Sequence, residues 1–153
     1  MSKPEFLEED PRNYDPSRAF VEQLPGLIRK ARRAARSEAI SYRGVKVGAS
    51  IMFYNGDTYS EALLSGSNVK GKPSDPKYCA EMDVIDQANE WNLKNATGLV
   101  IAGPSSPSVI ETISPRPTNT LHPCGACRQK ILDNPHIITP DTIIVTVSTE
   151  ENF

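Results

Sequence analysis

Two short segments of the chain combine residue types that can bind a metal and move protons. The first carries Cys79 and Glu81. The second carries Pro123, Cys124 and Cys127. Each segment follows a predicted loop and opens a predicted helix, where unpaired N–H groups and the positive end of the helix dipole favour thiolates. Three thiolates from two such helix ends can bind one zinc ion and leave its fourth position open to water, as in catalytic zinc sites.

Glu81 is placed to handle protons in such a site. It follows Cys79 by two residues, so it can sit beside the metal without binding it. A carboxylate there can take a proton from zinc-bound water and deliver it to a nitrogen of the substrate. The spacing therefore predicts hydrolytic chemistry, with Glu81 as the proton carrier.

Two other interpretations of the cysteines stay open at this point. The spacing of Cys124 and Cys127 is also that of a redox dithiol. A purely structural zinc site needs a fourth ligand, which His122 or His136 could supply. The odd count of three Cys argues against a disulfide framework.

The length and the net charge indicate a single-domain protein that is not a dedicated nucleic-acid binder. A chain of 153 residues fits one domain, and we expect a polar N-terminal tail over residues 1–15 and a single domain over residues 16–153. The net charge of −2 argues against a dedicated nucleic-acid binder. Five cations within residues 29–36 are interpreted as a solvated helix face.

The chain shows no apolar run near the ~20 residues of a membrane span, which argues against a membrane partner. The N-terminal segment is acidic and polar, without the apolar stretch of a signal peptide. We therefore expect a cytoplasmic protein.

Hydrophobic spacing predicts helices that alternate with strands. An Asn55-Gly56 pair predicts a hairpin between the first two long strands, and Pro25 is expected to kink or break the first helix. Together the elements predict a three-layer α/β/α fold around a mixed sheet of about four or five strands. The predicted helices cover residues 16–39 (interrupted at Pro25), 79–91 and 124–133; the strands cover 45–53, 58–64, 98–103 and 142–147; the loops cover 65–77 and 104–122.

Four motifs follow one another along the chain. They are Val47-Gly48-Ala49, Gly66-Ser67-Asn68-Val69, Cys79-Ala80-Glu81, and Leu121-His122-Pro123-Cys124-Gly125-Ala126-Cys127-Arg128-Gln129. A ligand-x-Glu segment followed by Pro-Cys-x-x-Cys is typical of zinc deaminases that act on bases. In this order the motifs resemble the cytidine deaminase family, especially its small members with three cysteine ligands that act on free nucleosides, over roughly residues 20–148.

The resemblance implies a hydrolase that deaminates a free cytosine-type nucleoside, such as cytidine, deoxycytidine or a modified analogue, to its uracil form with release of ammonia. The implied cofactor is Zn²⁺, bound by Cys79, Cys124 and Cys127. Glu81 is implied to carry protons from water to the ring N3 and then to the leaving amine.

The same resemblance implies how the substrate is held. The backbone of Ala80 would donate to the ring carbonyl, and Asn68 would meet the sugar. Family members of this size are typically tetramers with active sites near subunit interfaces, so a homo-oligomer, tetramer or dimer, is implied.

Some positions depart from the family pattern. Lys70 stands where the family usually has a Glu that accepts from a ribose hydroxyl; a cation donates only, and suits a carboxylate, a phosphate or an altered sugar better. Met82 stands where an Arg is common, and Val45 where an aromatic residue is common. The chain ends soon after the last predicted strand, so the family's final strand and helix are expected to be absent or replaced.

These departures favour a modified substrate, as in blasticidin S deaminase-like members, which also lack that Glu and that Arg. They also motivate an alternative: a catalytically silent zinc-binding protein with an assembly or ligand-sensing role.

Overall fold

The structure, a computed structural model, describes residues 5–8, 16–42, 44–55, 60–76, 78–104, 110–114 and 125–149. Its helices are α1 (Pro16–Ser37), α2 (Ala80–Glu90) and α3 (Gly125–Asp133). Its strands are β1 (Glu5–Glu8), β2 (Ile40–Ser41), β3 (Gly48–Asn55), β4 (Ser60–Ser67), β5 (Val69–Lys70), β6 (Ala96–Gly103), β7 (Ile110–Ser114) and β8 (Ile143–Ser148). None of the described helices is long and apolar enough to cross a membrane.

The main sheet is mixed, with the strand order β1-β4-β3-β6-β8-β7. The pairing of β6 with β8 is parallel, and its other pairings are antiparallel. Asn55 pairs with Ser60, which confirms the predicted hairpin, although its turn at 56–59 lies outside the described residues. The central strands β4, β3, β6 and β8 correspond to the four predicted strands, and β1 and β7 extend them at the two edges.

Helices cover both faces of this sheet. Successive strand residues point to opposite faces, and β3 shows the consequence: Ile51 packs in a cluster with Val84 of α2, whereas Met52 packs in a second cluster with Leu27 of α1. All eight residues of β6 are buried, as expected for a strand covered on both sides. The predicted three-layer α/β/α fold is confirmed.

The first helix differs from its prediction at Pro25. Helix α1 continues through this residue instead of breaking there. Proline removes the hydrogen bond to the carbonyl four residues earlier, which belongs to Val21. Both residues are exposed, so water can donate to that carbonyl and the helix tolerates the loss.

Some segments expected to be irregular contain strands. Glu5–Glu8, within the expected tail, pairs with β4. In the expected loop 65–77, β4 continues to Ser67 and β5 follows. In the expected loop 104–122, Ile110–Ser114 forms β7. This stretch is free of proline and rich in β-branched residues, which allows it to pair with the open edge of β8. The other residues of 105–122 lie outside the described part of the chain.

Candidate active site

The N-terminus of α2 holds the first predicted pair of site residues. Cys79 is the residue before the helix, with an extended backbone (φ −88°, ψ 161°), and it is half-buried. Ala80, the first helical residue, is completely buried, and Glu81 is only 6% exposed. The first turn of α2 therefore combines a thiol at the positive end of a helix with a buried carboxylate two residues later.

Hydrogen bonds fix α2 to the end of β4. Asp83 Oδ2 accepts from the backbone N–H of Ser67 at 3.0 Å. The side-chain amide of Gln87 donates to the carbonyl of Ser65 at 2.8 Å and to Asp83 Oδ1 at 3.1 Å. Between these strand residues lies Gly66, where an added Cβ would stand 2.7 Å from Asp83 Oδ2. The absence of a side chain at Gly66 thus lets Asp83 of α2 lie close to β4, and this sets the position of the helix and of its first turn.

Asn68 follows β4 directly and is held by the chain that leads into β3. Its Oδ1 accepts from the backbone N–H of Val47 at 2.8 Å. Its Nδ2 donates to the carbonyl of Val45, also at 2.8 Å. A primary amide has two N–H groups and two lone pairs, so one donor and one acceptor position remain. These backbone partners fix the orientation of the Asn68 amide, which is the group predicted to contact the sugar.

A cleft of about 250 Å³ brings three of the predicted site residues together, namely Asn68, Lys70 and Cys79. Lys70 and Ser41 are opposite each other in the short parallel pairing of β5 with β2, which forms one wall. The remaining lining residues are Ser41, Tyr42, Val45 and Tyr78. The sequence prediction missed both tyrosines, although it noted the lack of an aromatic residue at position 45.

The two tyrosines reach the cleft by different routes. Tyr78 precedes Cys79 in the chain, so its position could have been found from the motif. Tyr42 reaches the cleft through the pairing of β2 with β5, where its N–H donates to the carbonyl of Lys70 at 2.9 Å. Strands of two residues leave no periodic signal in a sequence.

Tyr78 is tied to α2 by a hydrogen bond. Its hydroxyl donates to Asp86 Oδ2 at 2.7 Å. Burial, and then the hydrogen bond to Asp86 and the nearby negative charges, raise the pKa of Tyr78 well above its usual range. The phenol therefore stays protonated and continues to donate at physiological pH. The other oxygen of Asp86 pairs with Lys130 of α3 at 2.5 Å.

Helices α2 and α3 run parallel, with their N-termini at the same end. Among the described side chains, Asp86 pairs with Lys130, and the amide of Asn89 donates to Oδ1 of Asn134, directly after α3, at 2.9 Å. Asp86 and Asn89 lie six and nine residues after the first residue of α2. Lys130 and Asn134 lie five and nine residues after the first residue of α3. The contacts keep the same order along both segments, three residues apart in α2 and four apart at the end of α3, so the two helices begin at similar levels.

The second group of predicted ligands is only partly within the described structure. Cys124 lies outside the described residues, as does His122. Cys127 belongs to α3, but its side chain lies outside the description. Within the described part of the chain, no three His, Cys, Asp or Glu side chains come together as a metal site. Of the three predicted zinc ligands, Cys79 is the one whose side chain is described.

His136 lies far from the first turn of α2. Its Nε2 is 3.1 Å from Oδ1 of Asn89, near the C-terminal end of that helix. Asn89 follows Cys79 by ten residues, which corresponds to about 15 Å along a helix. His136 is exposed there, which argues against its use as a fourth zinc ligand with Cys79.

The basic stretch of α1 lies on the opposite side of the sheet. Four of its cations line a groove of about 620 Å³, namely Arg29, Lys30, Arg33 and Arg36. Arg32 differs from the expected solvated cation, since it is only 6% exposed and its Nε donates to the carbonyl of Ser148 at 2.9 Å. Arg32 therefore ties α1 to the end of β8.

Comparison with known proteins assigns the family. Residues 21–137 match the zinc-binding region of cytidine and deoxycytidylate deaminases. This match covers most of the chain, and the protein belongs to that family. The resemblance recognised in the motifs is confirmed. No curated protein matches the chain in sequence.

Solved structures agree with the fold. Cytidine deaminase from Burkholderia pseudomallei is 21% identical, with a TM-score of 0.57 over 84% of this chain and 87% of that one. Cytidine deaminase from Mycobacterium tuberculosis is 22% identical, with a TM-score of 0.54 over 79% of this chain and 82% of that one. At these identities the likeness shows a common architecture.

Proposed function

We propose that the protein is a zinc-dependent enzyme that hydrolyses a free cytosine-type nucleoside to its uracil form and ammonia. The observation that carries the proposal is the first turn of α2. There the carboxylate of Glu81, 6% exposed, follows Cys79 by two residues in a chain of the deaminase family. A buried carboxylate beside a ligand thiol is the pair that proton transfer at such a site requires.

The residues present fit a zinc ion. Cys79 stands at the N-terminus of α2, where the helix dipole favours a thiolate. Helix α3 begins at a similar level to α2, which supports Cys124 and Cys127 as the other two ligands. When bound, zinc would supply an activated water at neutral pH.

The chain's own groups move the protons. Glu81 would take a proton from the attacking water and pass it to the ring N3. The remaining hydroxyl oxygen would add at C4 of the ring; Glu81 would then take the proton of that hydroxyl and give it to the amine, which leaves as ammonia when the C4–N bond breaks and C4 becomes a carbonyl. One water is consumed and one ammonia is released for each uracil ring formed.

The cleft supports a pose for the nucleoside. The free donor and acceptor positions of Asn68 can meet sugar hydroxyls. The N–H of Ala80, at the first helical position and so without a partner inside the helix, can donate to the ring carbonyl. Tyr42 and Tyr78 offer aromatic surface in the same cleft.

We also propose a homo-oligomer, dimer or tetramer, with subunits that meet at the rim of this cleft. Ile40 and Val69 pair in the small sheet and are 54% and 39% exposed. Tyr42 and Val45, at 39% and 46%, are further exposed apolar residues in the lining of the cleft. A second copy would remove these side chains from water.

The catalytically silent alternative is not favoured, because Glu81 is buried two residues after Cys79, where a proton carrier beside the metal would stand. A site of reduced thiols suits a reducing compartment, so we propose the cytoplasm as the location.

The test is ammonia release from cytidine, deoxycytidine, cytidine monophosphate and blasticidin S by zinc-loaded protein. Chelation should abolish the activity, and zinc should restore it. Protein that holds one zinc ion per chain and turns over none of these cytosine compounds would refute the proposal.

A further inference from the structure

Lys70 places a positive charge in the wall of the cleft that holds Asn68 and Cys79. It lies in β5 two residues after Asn68, and alternate residues of an extended chain point to the same side. Its backbone is fixed through the pairing with β2. The residue is half-buried and lines the cleft, so its ammonium lies within reach of a ligand bound there.

No carboxylate of the described residues neutralises this charge. The described lining of the cleft contains no acid. Asp75, the acid nearest along the chain, accepts from the backbone N–H groups of Gly71 and Lys72 at 3.1 and 3.2 Å. Asp86 is engaged by Tyr78 and Lys130. Lys70 therefore forms no ion pair with a carboxylate in the described part of the chain.

An ammonium binds an anionic partner more strongly than a neutral one, because a hydrogen bond between two charged groups is stronger. A neutral ribose offers hydroxyl groups. A carboxylate at this position could accept hydrogen bonds from them, whereas Lys70 can only donate. We propose that Lys70 selects substrates whose sugar carries an oxyanion, a phosphate or a carboxylate, over the neutral nucleoside. This inference rests on the proposed function, because it concerns the substrate of the same site.

The experiment compares kcat/KM for cytidine, cytidine 5′-monophosphate and cytidine 5′-carboxylic acid. The readout is the kcat/KM of each anionic substrate divided by the kcat/KM of cytidine. Wild-type protein should favour an anionic substrate, and Lys70→Gln should lower that ratio about 10- to 100-fold, as expected for a hydrogen bond to a charged group. Lys70→Glu should invert the preference. The two anionic arms show whether the partner is phosphate or carboxylate.

Lys72→Gln is the matched control, because Lys72 is exposed in the turn that follows β5 and does not line the cleft. It should leave the ratio unchanged. A wild-type preference for cytidine over both anionic substrates would overturn the inference. So would a ratio that Lys70→Gln and Lys72→Gln change equally.

A binding measurement separates this inference from the proposed function. Calorimetry compares uridine with uridine 5′-monophosphate and uridine 5′-carboxylic acid, which need no turnover. Tighter binding of an anionic ligand that Lys70→Gln abolishes supports the inference even if no substrate is deaminated, in which case only the proposed reaction fails. Equal binding of all three ligands overturns the inference whatever the enzyme does.

Discussion

Asp86 of α2 and Lys130 of α3 form an ion pair with 2.5 Å between Oδ1 and Nζ, and each side chain is 32% exposed. The second oxygen of Asp86 accepts from Tyr78, the residue before Cys79. One carboxylate thus links the segment that presents Cys79 to the helix that contains Cys127. Exposed ion pairs stabilise little, but a half-buried pair with a second hydrogen bond can set the spacing of two helix ends.

We predict that Lys130→Met weakens zinc binding about 10-fold, the lower end of the effect of outer-shell partners. Loss of the cation frees Asp86 and lets the two helix ends move apart. Zinc affinity is measured by competition with a chelator. Lys130→Arg, which keeps the charge, should restore most of the affinity.

Arg18→Met is the matched control, because Arg18 pairs with Glu22 at 3.2 Å on the exposed surface of α1. The Arg18→Met variant should bind zinc with the same affinity as the wild type. If Lys130→Met binds zinc as tightly as Arg18→Met, the ion pair has no part in holding the metal site.

Gly66→Ala should destabilise the protein by about 1–3 kcal/mol, the usual cost of overpacking. The new Cβ would stand 2.7 Å from Asp83 Oδ2, so Asp83 must give up its hydrogen bond to Ser67. Urea unfolding measures the free energy. Gly71→Ala is the control, since its Cβ would meet its nearest atom at 3.4 Å in an exposed turn. Equal stability of the two variants would contradict the role given to Gly66.

The double variant Ile40→Ser/Val69→Ser should shift the protein toward monomer. The two side chains form the apolar rim that we assign to a subunit contact. Sedimentation velocity measures the mass in solution. Leu132→Ser, at a residue of α3 that is 71% exposed, should keep the oligomer. A monomeric wild type, or an oligomer that the rim variant leaves intact, argues against this contact.

The central fold was predictable because its elements are long enough to show a period. Helix α2 buries residues at helical spacing, strand β6 is one continuous buried run, and the Asn55-Gly56 pair marks the hairpin between β3 and β4. Two-residue strands such as β2 and β5 carry no period, so the wall that bears Tyr42 and Lys70 was not predicted. Strand β7 was hidden because prolines surround it.

The part of the candidate site that depends on local spacing could be predicted from the sequence. Cys79 and Glu81 are two residues apart on one helix turn, and the structure shows the carboxylate buried. The link between Asp86 and Lys130 was not predictable, because its partners lie 44 positions apart and meet only after α2 and α3 pack. The hydrogen bonds between Asn68 and the segment before β3 could not be predicted either, because they form only in the tertiary structure.

The most direct test of the account is the turnover of Glu81→Gln beside that of Glu90→Gln, at the exposed end of the same helix. Both variants should bind one zinc ion per chain. We predict that Glu81→Gln lowers kcat for the best cytosine substrate about 10²- to 10⁴-fold, the usual contribution of a general acid–base, and that Glu90→Gln matches the wild type. Unchanged turnover in zinc-loaded Glu81→Gln would contradict the account.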